Sequence, residues 1–226
     1  MSAGTEPGDV LAREPEKIEF DALVARAARL AETGRRRLLG LTGAPGAGKS
    51  TLAERLVEAL GDRAVLVGMD GFHLAQRELE RLGRAERKGA PDTFDAHGYL
   101  DLLRRLRANG AETPGAVTVY APEFRREIEE PVACAVPVPP SVPLVITEGN
   151  YLLLDEPPWD QVRSVLDEVW FLAPDEELRL QRLVDRHQRY GRSPEEARAR
   201  ALGSDQANAE RVARTSGRAD LVLRCW

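Results

Sequence analysis

Apolar positions along the chain follow two rhythms. Residues 38–41, 64–69, 144–147, 166–172 and 219–223 carry short apolar runs with little polar alternation. Runs of this length predict strands buried on both faces, the habit of parallel sheets. Between them the spacing turns helical. Residues 18–32 place Leu23, Val24, Ala27, Leu30 and Ala31 on one stripe, with Gly34 as the stop. Residues 52–60 and 74–82 predict two more helices. Asp95 is placed to cap a helix carrying Tyr99, Leu102, Leu103 and Leu106, ending at Asn109-Gly110. Pro174 is expected to open a helix with Asp175, Glu176 and Glu177 in its first turn and Arg186, His187 and Arg189 near its end, the charge order a helix dipole favours. Gly191 breaks that helix. Ser193-Pro194-Glu195-Glu196 reads as a capping box that starts another, and residues 205–212 form a third.

Alternating strands and helices predict parallel βαβ units with right-handed crossovers, and ligands then bind at the carboxyl ends of the strands. Residues 111–143 break the rhythm. They are proline-dense, with short strand-like runs at 117–120 and 132–136, and predict an excursion outside the main sheet. The expected organisation is a mobile N-terminal tail over 1–16 and one domain over 17–226, with the excursion at 111–143 and a lid region at 174–202.

The candidate chemistry starts between the first strand and its helix. Gly43-Ala44-Pro45-Gly46-Ala47-Gly48-Lys49-Ser50 completes the pattern G-x-x-x-x-G-K-[ST] in a strand–loop–helix context. Glycines let a backbone turn its N–H groups inward as an anion nest, and the following helix adds its positive dipole end. Lys49 is expected to reach the β- and γ-phosphates of a nucleotide and Ser50 to offer its hydroxyl to Mg²⁺, with Thr51 beside it. Lysine usage strengthens this reading. The chain has only Lys17, Lys49 and Lys88, every other basic residue being Arg. A compact ammonium fits among phosphates where a planar guanidinium does not.

Asp70 and Glu148 each follow a predicted strand directly, which gathers them with the phosphate loop at one edge of one sheet. Asp70 is either a base that takes the proton of an attacking hydroxyl or a turn-former before Gly71. Glu148 either orients Mg²⁺-bound water and substrate or caps a helix. Arg182, Arg186 and Arg189 share one helix face, with Arg192 just beyond, a pattern that suits a lid neutralising a transferring phosphoryl group or a solvated face. His73, His97 and His187 lack metal-ligand spacing and are expected to contact substrate or to pack. Phe72, Tyr99, Tyr120, Phe124 and Tyr151 are candidates for the wall of a pocket or for plain core.

Composition narrows the classes. Net charge is −5, which leaves no basic excess for nucleic-acid binding. Cys134 and Cys225 form no metal or CxxC spacing and are expected as reduced thiols. No apolar run approaches the length of a membrane span and no signal-like start is present, so a cytoplasmic protein is expected. A homodimer is compatible with the sequence, although no feature calls for one.

Four stretches together resemble a family: 43–51 (the phosphate loop), 69–73 (Met-Asp-Gly-Phe-His), 87–95 (Arg-Lys-Gly-Ala-Pro-Asp-Thr-Phe-Asp) and 145–151 (Val-Ile-Thr-Glu-Gly-Asn-Tyr). They look like the uridine kinase, phosphoribulokinase and bacterial pantothenate kinase superfamily, and within it the nucleoside/nucleotide kinase-like branch sometimes labelled fructose-transport-system kinases. The likeness runs from about residue 37 to the C-terminus. It implies an α/β P-loop NTPase fold, a three-layer sandwich with five parallel strands, helices on both faces, a helical lid and a small β excursion. It also implies ATP- and Mg²⁺-dependent phosphorylation of a hydroxyl on a small-molecule substrate. Residue by residue, it implies Asp70 as base or substrate anchor, Glu148 near Mg²⁺ and substrate, Arg182 and Arg186 on ATP phosphates, and Asn208 on the adenine side. His73, Lys88, Phe94, Tyr120, Arg126 and Tyr151 join the candidate acceptor contacts. The chain departs from the family pattern at Pro122-Glu123-Phe124-Arg125-Arg126, where Arg125 replaces an acid. The alternatives are a nucleotide-dependent ATPase or switch acting on a partner protein, for which no N-K-x-D guanine signature is present, and a nucleotide-binding module without activity.

Overall fold

The structure is a computed structural model that describes residues 14–224. Cys225 and the expected tail up to residue 13 lie outside the described residues. Glu16, at the end of that tail, pairs with the last strand: its N–H donates to Val222 O at 2.8 Å and its carbonyl accepts from Arg224 N at 2.9 Å.

Five strands form one parallel sheet: β1 (Arg37–Gly43), β2 (Ala64–Gly68), β5 (Leu144–Glu148), β6 (Glu168–Leu172) and β7 (Leu221–Leu223), in the order β2-β5-β1-β6-β7. The apolar runs are continuous because both faces are covered. Successive residues of β1 divide between two cores, Leu38 on one face and Leu39 and Leu41 on the other. Val145 and Ile146 of β5, and Val169 and Trp170 of β6, divide the same way. On one face lie α1 (Phe20–Ala31) and α2 (Lys49–Leu60). On the other lie α4 (Ala96–Arg107), the short α5 (Val162–Val165) and part of α8 (Ser204–Ala213). Truncating a fully buried residue such as Leu38 or Ile146 to Ala would cost about 2–5 kcal/mol.

The excursion is an antiparallel hairpin of β3 (Val119–Arg125) and β4 (Glu130–Val138), separate from the main sheet. It packs against the turn that follows β2, and Gly71 is what allows this. A Cβ at Gly71 would stand 2.6 Å from Pro122 O, a backbone atom that cannot yield. The predicted helix over 74–82 is shorter, α3 (Gln76–Arg81), because residues 73–75 stay extended to pair with residues 93–94. The stretch expected to act as a lid, residues 174–202, holds α6 (Glu176–Arg189) and α7 (Pro194–Leu202). Asp175, rather than Pro174, starts α6: its carboxylate accepts from Glu177 N and Leu178 N as the N-cap. The capping box of Ser193 and Glu196 forms at the start of α7 as the sequence predicts.

Candidate active site

The phosphate loop is shaped by three glycines with φ of +147°, +82° and +91° at Gly43, Gly46 and Gly48. Two of them also have no room for a side chain. A Cβ at Gly43 would meet Leu172 O at 2.6 Å, and one at Gly46 would meet Arg179 O and Leu183 Cγ at 2.8 Å. The loop is therefore clamped between β6 and α6. The first turn of α2 contains no acid, so its free N–H groups and dipole are left for an anion. Lys49 is buried and its Nζ donates to Gly43 O and Ala44 O, each at 3.0 Å.

Because β2, β5 and β1 are neighbours, their carboxyl ends present Asp70, Glu148 and the loop side by side. Glu148 lies in register with Gly68 on one side and Leu41 on the other. Burial pushes its carboxyl up, to about 7, reinforced by the Asp70 charge, while Lys49, Arg126 and a hydrogen bond from Ser50 oppose the rise. Burial likewise pulls Lys49 down, to about 8, and the Glu148 and Asp70 carboxylates resist that fall. Each charge is costly in this place, and each lowers the cost of the other. The same logic draws in Arg186, whose guanidinium is lowered chiefly by burial and then by Arg126.

One cavity of about 560 Å³ connects these groups. Pro45, Lys49, Ser50, Asp70, Glu148 and Arg186 line one part of it, and His73, Lys88, Phe94, Phe124 and Arg126 another. A chain of contacts gives their order. Arg126 donates to Asp70 at 3.3 Å. His73 Nδ1 donates to Asp70 O at 2.8 Å, and its ring lies 4.0 Å from Phe94 and 4.7 Å from Phe124 between centroids. Lys88 Nζ stands over Phe124 at 5.5 Å. The Arg126–Asp70 pair is about a third exposed and contributes at most ~1 kcal/mol, so a ligand can displace it at little cost. Burial lowers the His73 imidazole, an effect that Lys88 and Arg126 add to and Asp70 opposes.

The 87–95 stretch turns out to be mostly scaffold. Asp92 pairs with Arg87 at 2.6 Å, Thr93 Oγ1 accepts from Gly89 N and donates to Ala90 O, and Asp95 caps α4 by accepting from Gly98 N at 2.8 Å. Only Lys88, Gly89 and Phe94 of this stretch reach the cavity.

Two expectations need correction. Tyr120 does not line the cavity; it is 54% exposed. An irregularity in the β3–β4 register between Ala121 and Glu123 shifts the strand's alternation, so Phe124 takes the inward place. Tyr151 is fully buried behind Phe94, and its hydroxyl donates to Gly89 O, which makes it a wall support rather than a contact. Asn208 lines the main cavity from α8, together with Pro45, Lys49 and Ser50 of the phosphate loop, and a separate recess lies beside Gly48. That recess has an apolar floor of Ala47, Leu52, Leu172 and Leu223 with Arg55 and Arg182 at its edge. Arg186 lines the main cavity, whereas Arg182, one turn earlier on α6, lines the recess and stands beside Gly48. Thr51 also faces this recess.

Two groups were not legible beforehand. Arg179 is 2% exposed and donates to Pro45 O at 3.1 Å, to Glu176 and to Gln206, tying the phosphate loop to α6 and α8. Its spacing from Glu176 was the one available signal. His187 Nε2 lies 2.7 Å from Asp205 Oδ2, a pair that needs two helices to meet.

The donor set suits Mg²⁺. Ser50 and Glu148 offer hard oxygen atoms beside a phosphate nest, and Mg²⁺ is commonly held by one or two protein oxygens plus phosphates and water. Among the described residues there is no cluster of three or more His, Cys, Asp or Glu able to cage a metal unaided, and no helix is long and apolar enough to cross a membrane.

The comparisons with known proteins agree with this geometry. The model of the phosphoribulokinase/uridine kinase family matches residues 38–225. A Schizosaccharomyces pombe protein named a "putative uridine kinase" is 34% identical over 221 residues, covering 93% of this chain and 92% of its own. The crystal structure of a "putative fructose transport system kinase" from a Silicibacter species is 37% identical, with a TM-score of 0.80 over 91% of this chain and 98% of that one. A Saccharomyces cerevisiae protein described as a circularly permuted P-loop kinase shares the fold at a TM-score of 0.77 and 19% identity, over 92% of this chain and 99% of that one. The chain belongs to the phosphoribulokinase/uridine kinase family of P-loop kinases.

Proposed function

We propose that this kinase transfers the γ-phosphoryl group of ATP to a hydroxyl of a small metabolite, with Asp70 as the base. The observation that carries the reading is the position of Asp70. It lies in the turn that follows β2, shares the cavity with Lys49, Ser50 and Glu148, and accepts a hydrogen bond from Arg126.

Asp70 would accept the hydroxyl proton as the acceptor oxygen bonds to the γ-phosphorus and the bond to the bridging oxygen of the leaving diphosphate breaks. Lys49 and Arg186 would stabilise charge on the phosphoryl oxygens, and the N–H groups of residues 44–50 would orient the phosphates. Ser50 and Glu148 would hold Mg²⁺, which when bound neutralises phosphate charge. Arg179 would keep the loop in register with the lid. Most of the catalysis would be positioning and electrostatics rather than covalent chemistry. Nucleosides, pantothenate-like alcohols and sugars all present a suitable hydroxyl. A cytoplasmic location and a homodimer belong to the same reading as expectations from the sequence.

The test is Asp70→Asn in a coupled ADP-release assay across those acceptor classes. A fall in kcat of about 10²–10⁴ with ATP binding intact is expected. Near-wild-type turnover would remove Asp70 from the role of base.

A further inference from the structure

Arg186 and His187 are consecutive residues in the last turn of α6, and both line the main cavity. Asp205, the acid in the first turn of α8, lines it too. His187 Nε2 lies 2.7 Å from Asp205 Oδ2, and each side chain is only 15% exposed. An ionised carboxylate can only accept, so the imidazole N–H is the donor in this pair. The proposed reaction gives work to Arg186 and none to His187 or Asp205.

Asp205 is pulled on by two cationic side chains. Burial lowers the Arg186 guanidinium and Arg126 adds to the fall; of the three carboxylates that resist it, Asp205 acts most strongly, ahead of Asp70 and Glu148. An arginine beside a carboxylate ordinarily closes on it as a two-pronged ion pair. Arg186 does not. Asp205 pairs with His187 instead, and among the described residues Arg186 enters no ion pair within 4.0 Å. With Oδ2 held by the imidazole, the guanidinium fork cannot take both oxygens.

Joining the two helices does not require this pair. Two turns back on α6, the buried guanidinium of Arg179 already donates to Gln206 on α8. Gln206 adjoins Asp205 in sequence, so the helices are tied beside Asp205 without help from His187.

We infer that His187 is a positioning residue: by occupying Asp205 it keeps that carboxylate from capturing Arg186, and so leaves the guanidinium in the cavity for the terminal phosphoryl group of the nucleotide. The inference rests on the role proposed for Arg186 and on no particular acceptor. Without His187 the Asp205 carboxylate would stand largely enclosed and unpaired, a costly state that a nearby cation relieves. Arg186, the adjoining residue, would turn onto it and leave the phosphate.

The test reads recognition of the terminal phosphate directly. Calorimetry with Mg²⁺ present gives the Kd for ADP and the Kd for the β,γ-imido analogue of ATP, and their ratio measures what the third phosphate adds. Arg186→Gln should lower this ratio by about tenfold or more, the loss expected for a charge-assisted hydrogen bond. His187→Leu should lower it by a similar factor while ADP affinity is kept. Adding Asp205→Asn to His187→Leu should restore most of the ratio, because the competing charge is gone. A mere latch between helices predicts the reverse, a double variant no better than the single one. His187→Gln, which keeps an N–H donor at similar reach, should retain most of the ratio. His187→Asn, whose amide is too short to reach, repeats the comparison if the leucine variant does not fold. An unrestored double variant, or a ratio indifferent to the loss of His187, would overturn the inference. A ratio indifferent to Arg186→Gln would overturn it together with the role of Arg186. Restoration as described, without ADP release on any acceptor, would uphold it and count against the proposed transfer to a hydroxyl.

Discussion

The two halves of the cavity are built in different ways. On the proposed donor side the candidate ligand-binding groups are mostly backbone N–H groups from one run of eight residues, and their geometry is set by three glycines and a helix start. On the acceptor side the groups are side chains from the turn after β2, the 84–95 loop, the hairpin and α7, which meet only through packing. A backbone site leaves a strict motif because few residues can adopt its dihedral angles. A side-chain site can be rebuilt from many residue types, so it can change substrate without changing fold.

If that contrast holds, the largest effect should come from the loop. Gly46→Ala would force a side chain into the left-handed region and against the backbone of Arg179. A loss of about 2–4 kcal/mol in urea unfolding is expected from the strain and overlap together, with ATP binding lost as the loop shifts away from α6. Retention of wild-type stability and ATP affinity would mean that α6 yields easily and that the clamp is not a constraint.

A smaller effect is expected at His73, on the acceptor side. Its folded pKa lies below the ordinary value of 6.5, chiefly because of burial. As pH falls through 6.5 the unfolded chain takes up a proton that the folded chain resists, so stability contributed above pH 6.5 is lost on acidification. His73→Phe should flatten that part of a pH–stability profile measured by chemical denaturation. An unchanged slope would assign the acid sensitivity to other groups.

The least effect is expected at Tyr120. Tyr120→Ala should leave acceptor KM and kcat within about twofold, because surface substitutions of this kind rarely matter. Phe124→Ala, on the face that turns inward, should raise acceptor KM. Equal responses at the two positions would show that the irregularity in β3 does not divide them.

The sequence by itself determined much of this protein. The five buried strands, the phosphate loop, the capping box at Ser193 and the placing of Asp70 and Glu148 at strand ends all follow from short-range rules of periodicity, dihedral preference and capping. These rules act within about ten residues, and the residues that obey them are visible in a single stretch. The tertiary structure alone decided the rest. It placed Arg182 and Arg186, which share a helix stripe, at two different cavities beside the loop. It replaced Tyr120 with Phe124 through one shift in strand register, and a period of two gives no warning of such a shift. It buried Tyr151 as a support for Phe94. It brought Arg179 to Pro45 across 134 positions of sequence and Arg200 to Lys88 across 112. Contacts of that span depend on how whole layers pack, and no local pattern records them.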